Sequence, residues 1–566
     1  MINCLTQAVW NFARARCGVV AMTLIVAIAA AVWFATISRY QLLHFDAFDY
    51  AQMGHQIRLG EGFTTLVLYP RHIPWLSNRG FLAGASSPNL YRYPLTPIID
   101  AAFEVGVGDA ERAALIQSGT WFLVTVPLIY MLARIFAGPS WAVLSALLFV
   151  SQSISWGTSH DGLTESLAAL LILLVYLLAF ARNESAWRPF ALGIMCGLAF
   201  LCRTQLIFLL PLSVAILFFT ETEPRRVLKS SFLALVGSAL AVGPWFLRNL
   251  SVAGSPTFSF SNTRNLAFYA AKGTDIELDV HAPIDAVSIF QVHRDAILHK
   301  IGTNLWPNIV NPFALTSNYA FAILLCLSLL ALFVWRAQNR DKSKYRAALF
   351  IAATFSAVLA NFVISSLLRV DPRFDIPLDP LLIVAGVLGV RIVLGAIARH
   401  GTRALAVVTN IAVALCALLF FHRLSQELGT APPSSSDRQT YASFARSADF
   451  AGAVASDESD KIALFGHMRA IQLPSDPNQI FEINDRYLPV RYVVISAHLL
   501  GRTINEADRA VGYDHYRTFV KSPQFEMTYR FVRRLANGAE VYQERSPRPW
   551  SNGTGASDRS TCCSTS

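Results

Sequence analysis

Charge is what this sequence has least of. Only 15% of its 566 residues are charged, 54% are hydrophobic, and the mean hydropathy is +0.43. Soluble domains carry charge on about a quarter of their residues, so a water-soluble protein is excluded and the chain belongs in a bilayer. The eight cysteines show no metal-site or disulfide spacing: Cys17, Cys196, Cys202, Cys326 and Cys416 lie in or beside apolar runs, Cys4 near the start, and Cys562 and Cys563 in a polar tail. His44, His55, His72 and His160 likewise lack the i, i+4 spacing of a helical metal site and are assigned to ordinary polar contacts. No solenoid repeat is present. The net charge of +10 falls in short clusters between apolar segments, not on one extended patch, which excludes nucleic acid as a partner.

What the sequence does hold is a series of long apolar runs, at about 18–37, 114–133, 140–156, 163–181, 189–202, 204–220, 230–247, 319–335, 347–368, 378–397 and 404–421. Measured against the ~20 residues that cross a bilayer, they predict an α-helical polytopic membrane protein with about 11 transmembrane helices. The first run follows Arg14 and Arg16 without a small-residue cleavage site and reads as an uncleaved anchor. The runs at 189–202 and 204–220 are short, separated by Arg203, and read as a tilted or half-crossing pair.

Lys and Arg accumulate on cytoplasmic loops, and one orientation places every cluster there: Arg14 and Arg16; Arg134; Arg182 and Arg188; Arg225, Arg226 and Lys229; Arg336 to Arg346; Arg399 and Arg403. The N-terminus is then cytoplasmic. The loops at 38–113 and 248–318 and everything after 421 lie on the outer side. Residues 1–421 form the transmembrane domain, 437–545 a small C-terminal α/β extramembrane domain with strand-like runs such as RYVVIS, MTYRFVRRL and AEVYQE, and 546–566 a low-complexity, disordered tail.

The stretch HFDAFDYAQMGHQIRLGEGFTT, residues 44–65, sets Asp46 and Asp49 just after the first run. From Asp49 a helix is predicted with Tyr50, Met53, Gly54 and Ile57 on one face, lying on the membrane surface and ending at Gly60. Asp46 has two readings, the cap of that helix or a catalytic acid. Arg203, Arg248 and Arg373, each at the outer end of a predicted span, either snorkel to headgroups or grip a phosphate. Arg203 interrupts an apolar run, the placement expected of a charge facing a cavity. Tyr91, Arg92 and Tyr93 either line an acceptor entrance or belong to an aromatic belt.

Taken together, the motifs resemble those of the membrane-embedded type C glycosyltransferases, which include the dolichyl-phosphate-mannose protein mannosyltransferases and the lipid A aminoarabinose transferases. Asp46-Ala47-Phe48-Asp49-Tyr50 is similar to the acidic Asp-(Glu/x)-x-x-Tyr motif after the first span, with Ala47 where an acid is commoner. TSHDGLTESLAAL resembles the acidic opening of a later span, with Glu165 or Asp161 as the acid. GLAFLCRTQLIFLLP, VGPWFLRNLSVAGSP and DPRFDIPLDPLL resemble three further family segments carrying Arg203, Arg248 and Arg373. The resemblance spans residues 10–420.

The resemblance implies a type C glycosyltransferase fold in the inner membrane. It implies an inverting transfer of a sugar from a polyprenyl-phosphate-linked donor to a glycan, lipid or protein acceptor on the periplasmic side, with membrane lipid the surrounding partner. Asp46 would be the base, tuned by Asp49, with Glu165 or Asp161 orienting the acceptor. Tyr50, Arg92, Tyr93, Arg203, Arg248 and Arg373 would bind substrate. A divalent ion, Mg or Mn, is compatible with such carboxylates, but some members of the superfamily need none, so the metal stays open. The rival readings are a flippase of lipid-linked saccharides and an inactive envelope scaffold. Charges gathered at one membrane side favour surface chemistry over transport.

Overall fold

In a computed structural model of the protein, residues 2–181, 185–221, 223–267, 275–315, 328–331, 342–368, 372–397, 402–431, 437–448, 452–501 and 513–546 are described. The chain divides into two compact units. One holds Met1–Ala47, Tyr93–Phe258 and Ile301–Pro433; the other holds Phe48–Arg92, Ser259–Lys300 and Ser434–Ser566.

The principal helices up to residue 429 are α1 (Ile2–Thr36), α2 (Phe45–Arg58), α3 (Leu95–Val107), α4 (Ala110–Ala137), α5 (Pro139–Val150), α6 (Ser153–Ser159), α7 (Glu165–Phe180), α8 (Arg188–Cys202), α9 (Leu209–Thr220), α10 (Pro224–Ala253), α11 (Lys342–Leu368), α12 (Asp379–Ile397) and α13 (Thr402–Gly429). All but α2, most of which lies in the second unit, build the first unit. Among the described residues six helices are long and apolar enough to cross a membrane, and four shorter apolar helices cover the runs at 140–156, 163–181, 189–202 and 204–220. The run at 319–335 and the tail beyond 546 lie wholly or mostly outside the described residues. Helices dominate because a backbone in hydrocarbon must satisfy its own hydrogen bonds.

Apolar surface gives little drive for helices to associate within a bilayer, so close packing must do the work. Gly119 on α4 lets the fully buried Trp33 of α1 lie against the backbone, where a Cβ would fall 2.0 Å from the indole. The indole N–H donates to the Ser159 carbonyl at 3.3 Å. Gly193 and Gly197 of α8 meet Ala234, Ser238 and Ala241 of α10, so these two helices touch backbone to backbone. The contacts advance together along both chains, so α8 and α10 run parallel with their N-termini at the same end.

The second unit holds a two-stranded ribbon of β1 (Thr64–Thr65) and β3 (Ser87–Pro88) and a six-stranded sheet of order β2-β5-β4-β6-β8-β7, from β2 (Val67–Leu68), β4 (Ala453–Ser456), β5 (Ala470–Gln472), β6 (Val490–Ile495), β7 (Tyr529–Arg534) and β8 (Glu540–Glu544). Strands β2, β5, β4 and β6 are parallel, while β6, β8 and β7 are antiparallel. Every residue of β4 is buried, as a continuous apolar strand within a covered parallel sheet should be. The helices α14 (Asp437–Ser447), α15 (Ser459–Gly466) and α16 (Gln479–Arg486) complete the α/β part. RYVVIS supplies β6, and the two strand-like runs after it pair as β7 and β8.

Sequence patterning gave no hint that a piece of the first outer loop is a strand of this sheet. Ala470 N–H donates to the Leu66 carbonyl at 2.9 Å and brings β2 alongside β5. The fully buried Arg71 guanidinium then binds Glu277 at 2.7 Å, the Thr263 hydroxyl at 2.8 Å and the Pro283 carbonyl at 3.0 Å, tying residues 259–300 into the same unit. Both loops join the α/β part because their polar groups are buried there and must be paired.

Candidate active site

Helix α2 starts at Phe45, four residues before the expected Asp49, so Asp46 sits inside its first turn instead of capping it. Near the positive end of the helix dipole a carboxylate is stabilised. Burial along helix α2 does not follow the expected division of faces. Gln52 and Gln56, expected off the apolar face, are buried like Met53, and Gln52 is held by hydrogen bonds to Asp49 at 3.2 Å and Thr65 at 2.8 Å. It ends at Arg58, and Gly60, two residues on, has a positive φ of 82°.

Ala47, the departure from the acidic motif, is fully buried. It packs by the turn at Gly162, whose φ is +67° and where an added Cβ would lie 2.4 Å from Leu42 and 3.5 Å from the Ala47 methyl. An acid at position 47 would be desolvated against that turn, and burying a charge without a partner is costly.

The same turn leads into α7. Asp161 accepts from the Leu163 N–H at 2.8 Å and so shapes the turn. Burial, followed by the charge of Glu165, holds the Asp161 carboxyl well above the usual range, with Arg373 and Arg203 opposing. Glu165, in the first turn of α7, is fully buried and faces two guanidiniums. Its Oε1 accepts from Arg373 Nε at 2.9 Å and lies 3.5 Å from Arg203 Nη1. Among the described residues its Oε2 has no hydrogen-bond partner. Between the two readings left by the sequence, Glu165 is the acid that meets the arginines.

Arg203 ends α8 in an extended conformation, after which a 3-10 turn over Thr204–Phe208 leads into α9. The break is what presents this arginine: Nη1 donates to the Arg373 carbonyl at 3.3 Å and the guanidinium lies 5.6 Å from the Phe374 ring. Arg373 closes the chain of charges, with Nη1 3.5 Å from Asp46 Oδ2. Two residues that sequence reasoning missed secure its turn. Gln205 and Asn361 both donate to the Phe374 carbonyl at 3.3 Å, and Asn361 also donates to Asp375 at 2.7 Å. An asparagine inside the apolar run at 347–368 is the signal that could have found one of them.

The remaining predicted residues make other contacts. Asp49 belongs to the second unit with Tyr50 and Arg92. Its carboxylate pairs with Arg92 at 2.7 Å, and that guanidinium lies 5.3 Å from the Tyr50 ring and 4.7 Å from the Tyr91 ring. Asp49 is thus paired with Arg92, and Arg373 contacts Asp46. Arg248 lies 5.0 Å from the Trp245 ring and donates to Asn249 at 3.1 Å. Tyr93 shares that indole at 6.3 Å and meets Phe200 at 5.7 Å. So Arg203 and Arg373 share Glu165, while Arg248 and Tyr93 share Trp245.

Among the described residues no three His, Cys, Asp or Glu side chains gather as a metal-holding set. Asp46 and Glu165 are instead matched by guanidiniums, an arrangement suited to an anionic substrate group.

Residues 94–246 match the family model described as dolichyl-phosphate-mannose-protein mannosyltransferase. In fold the chain is similar to ArnT from Cupriavidus metallidurans bound to undecaprenyl phosphate, with a TM-score of 0.57 at 14% identity over 92% of this chain and 97% of that one. It is also similar to the oligosaccharyltransferase AglB from Archaeoglobus fulgidus in complex with an inhibitory peptide and a dolichol-phosphate, with a TM-score of 0.53 at 12% identity over 93% of this chain and 74% of that one. No curated protein sequence matches the chain significantly. The chain thus shares the fold of these two proteins, and it is a multi-pass membrane protein.

Proposed function

We propose that this protein is an inverting glycosyltransferase that moves a sugar from a polyprenyl-phosphate carrier to a hydroxyl of a glycan, lipid or protein acceptor on the periplasmic side of the inner membrane. The observation that carries this reading is the convergence of Asp46, Glu165, Arg203 and Arg373, from four distant segments, into one chain of charges. The fold supports it, as do the polyprenyl phosphates bound by the two similar proteins. The gathering of basic residues at the other end of the helices supports the side.

The acceptor hydroxyl attacks the anomeric carbon as Asp46 takes its proton. The bond from that carbon to the phosphate oxygen breaks, its electron pair stays with the oxygen, and the lipid phosphate leaves as an anion. Arg203 and Arg373 meet the charge that develops there. Glu165 is a positioning residue, holding both guanidiniums from a site that water does not reach. Because Arg373 contacts Asp46, a donor phosphate drawing that guanidinium away frees the Asp46 carboxylate for the acceptor. Tyr93 and Arg248 are proposed to bind substrate beside Trp245, and Asp49, Tyr50 and Arg92 to support the second unit.

The test is transfer from a labelled polyprenyl-phosphate sugar by membranes carrying the parent, Asp46→Asn, Arg203→Ala or Arg373→Ala. Parental turnover in all three variants would refute the assignment. A parent that transfers from no donor would point to a flippase or a scaffold.

A further inference from the structure

Helix α7 is about 24 Å long at 1.5 Å per residue, with Glu165 at one end and Phe180 at the other. At the Phe180 end lies a cavity of about 460 Å³ bounded by the end of α7 and the starts of α8, α10 and α11. Arg188, Arg226, Lys229 and Arg346 line it with one acid, Glu221. Arg188 is largely buried, donates to the Ala181 carbonyl at 2.7 Å and to Glu221 at 2.9 Å, and is thereby fixed in place. Arg346 donates to the Phe180 carbonyl at 2.5 Å. Arg226 pairs with Glu223 at 3.1 Å on the exposed face of α10.

Two further features point to the chemistry of an occupant. The parallel pairing of α8 and α10 sets two helix N-termini at this end, so their positive dipole ends add to the cationic lining. Beside the cavity, Trp187, Leu228 and Phe232 are exposed apolar side chains on the starts of α8 and α10, as expected where helices face lipid. An excess of fixed positive charge in a hollow reachable from lipid is costly unless an anion fills it.

We propose that this cavity binds the phosphate of an anionic membrane lipid at the end of the bundle opposite the Asp46 cluster, with Arg226 and Lys229 as its outer contacts. A soluble phosphate offers the same chemistry without the lipid tail.

The test measures binding of fluorescent phosphatidylglycerol to the purified full-length protein in detergent, with phosphatidylcholine and inorganic pyrophosphate as comparisons. Arg226→Glu with Lys229→Glu should weaken phosphatidylglycerol binding about ten-fold or more. The charge-matched pair Arg134→Glu with Arg225→Glu, outside the cavity lining, should change it less than about two-fold. Sugar transfer by the Arg226 and Lys229 variant, at parental level, serves as the folding control. Pyrophosphate competing with the same sensitivity to Arg226 and Lys229 would support the site with a soluble ligand. Equal losses in both double variants, no loss in either, or no saturable binding would overturn the proposal.

Discussion

Glu165 and Asp460 are both buried carboxylates in the first turn of a helix, one in each unit, and they meet burial in opposite ways. Glu165 lies between two guanidiniums contributed by segments far away in sequence. Asp460 has Lys461 beside it in sequence, yet burial dominates and pushes its carboxyl up to about 8, with Glu458 adding to the rise. The difference teaches how each unit carries a buried acid. Two guanidiniums in contact match the charge of Glu165, whereas burial favours the protonated form of Asp460.

The comparison breaks hardest at Asp46, the acid of the cluster still reached by solvent. Asp46→Asn should lower kcat for sugar transfer by about two to four orders of magnitude with little change in KM, measured with labelled donor in membranes. Arg373→Ala should cost about two to three orders of magnitude. Arg373→Lys should recover only part of this, since a point charge cannot serve Asp46 and Glu165 with one planar fork; full recovery would show that charge alone matters.

Glu165→Gln sharpens the same contrast. Leaving two guanidiniums in a buried site without their carboxylate should destabilise the first unit by about 3–5 kcal/mol, read as a lower Tm of the purified protein. Asp460→Asn should behave oppositely. A carboxyl whose folded pKa is raised contributes stability that is complete below the unfolded value and is lost as the pH rises through the folded one, here about 8. Asp457, raised to about 6 chiefly by burial, adds a loss at lower pH. The second unit should therefore weaken from about pH 4 to pH 8, by ~1.4 kcal/mol for each unit of raised pKa. Amide exchange along β4 and β5 measures this, and Asp460→Asn should flatten the decline.

Much of the bundle was legible from composition, since an apolar run long enough to cross a bilayer has few alternatives to a helix. The described runs each fall on an apolar helix. Arg203 stood out because it breaks such a run, and it lies 3.5 Å from Glu165. Three things were not legible. The start of α2 at Phe45 depends on how the chain leaves α1; the partner of Asp49 is Arg92, 43 residues away; and β2 is a two-residue strand that no pattern distinguishes from loop. Each is decided by a long-range contact that leaves no periodic mark in the sequence.

By itself the sequence determined that the chain is a membrane-spanning helical protein, because hydropathy acts locally. Tertiary structure alone decided that Glu165 and not Asp161 contacts the arginines, that Arg373 reaches Asp46 while Arg248 turns to Trp245, and that parts of two loops join the C-terminal unit. Pairing of buried charges depends on distances of a few ångströms between remote segments, and only the packed fold sets those distances.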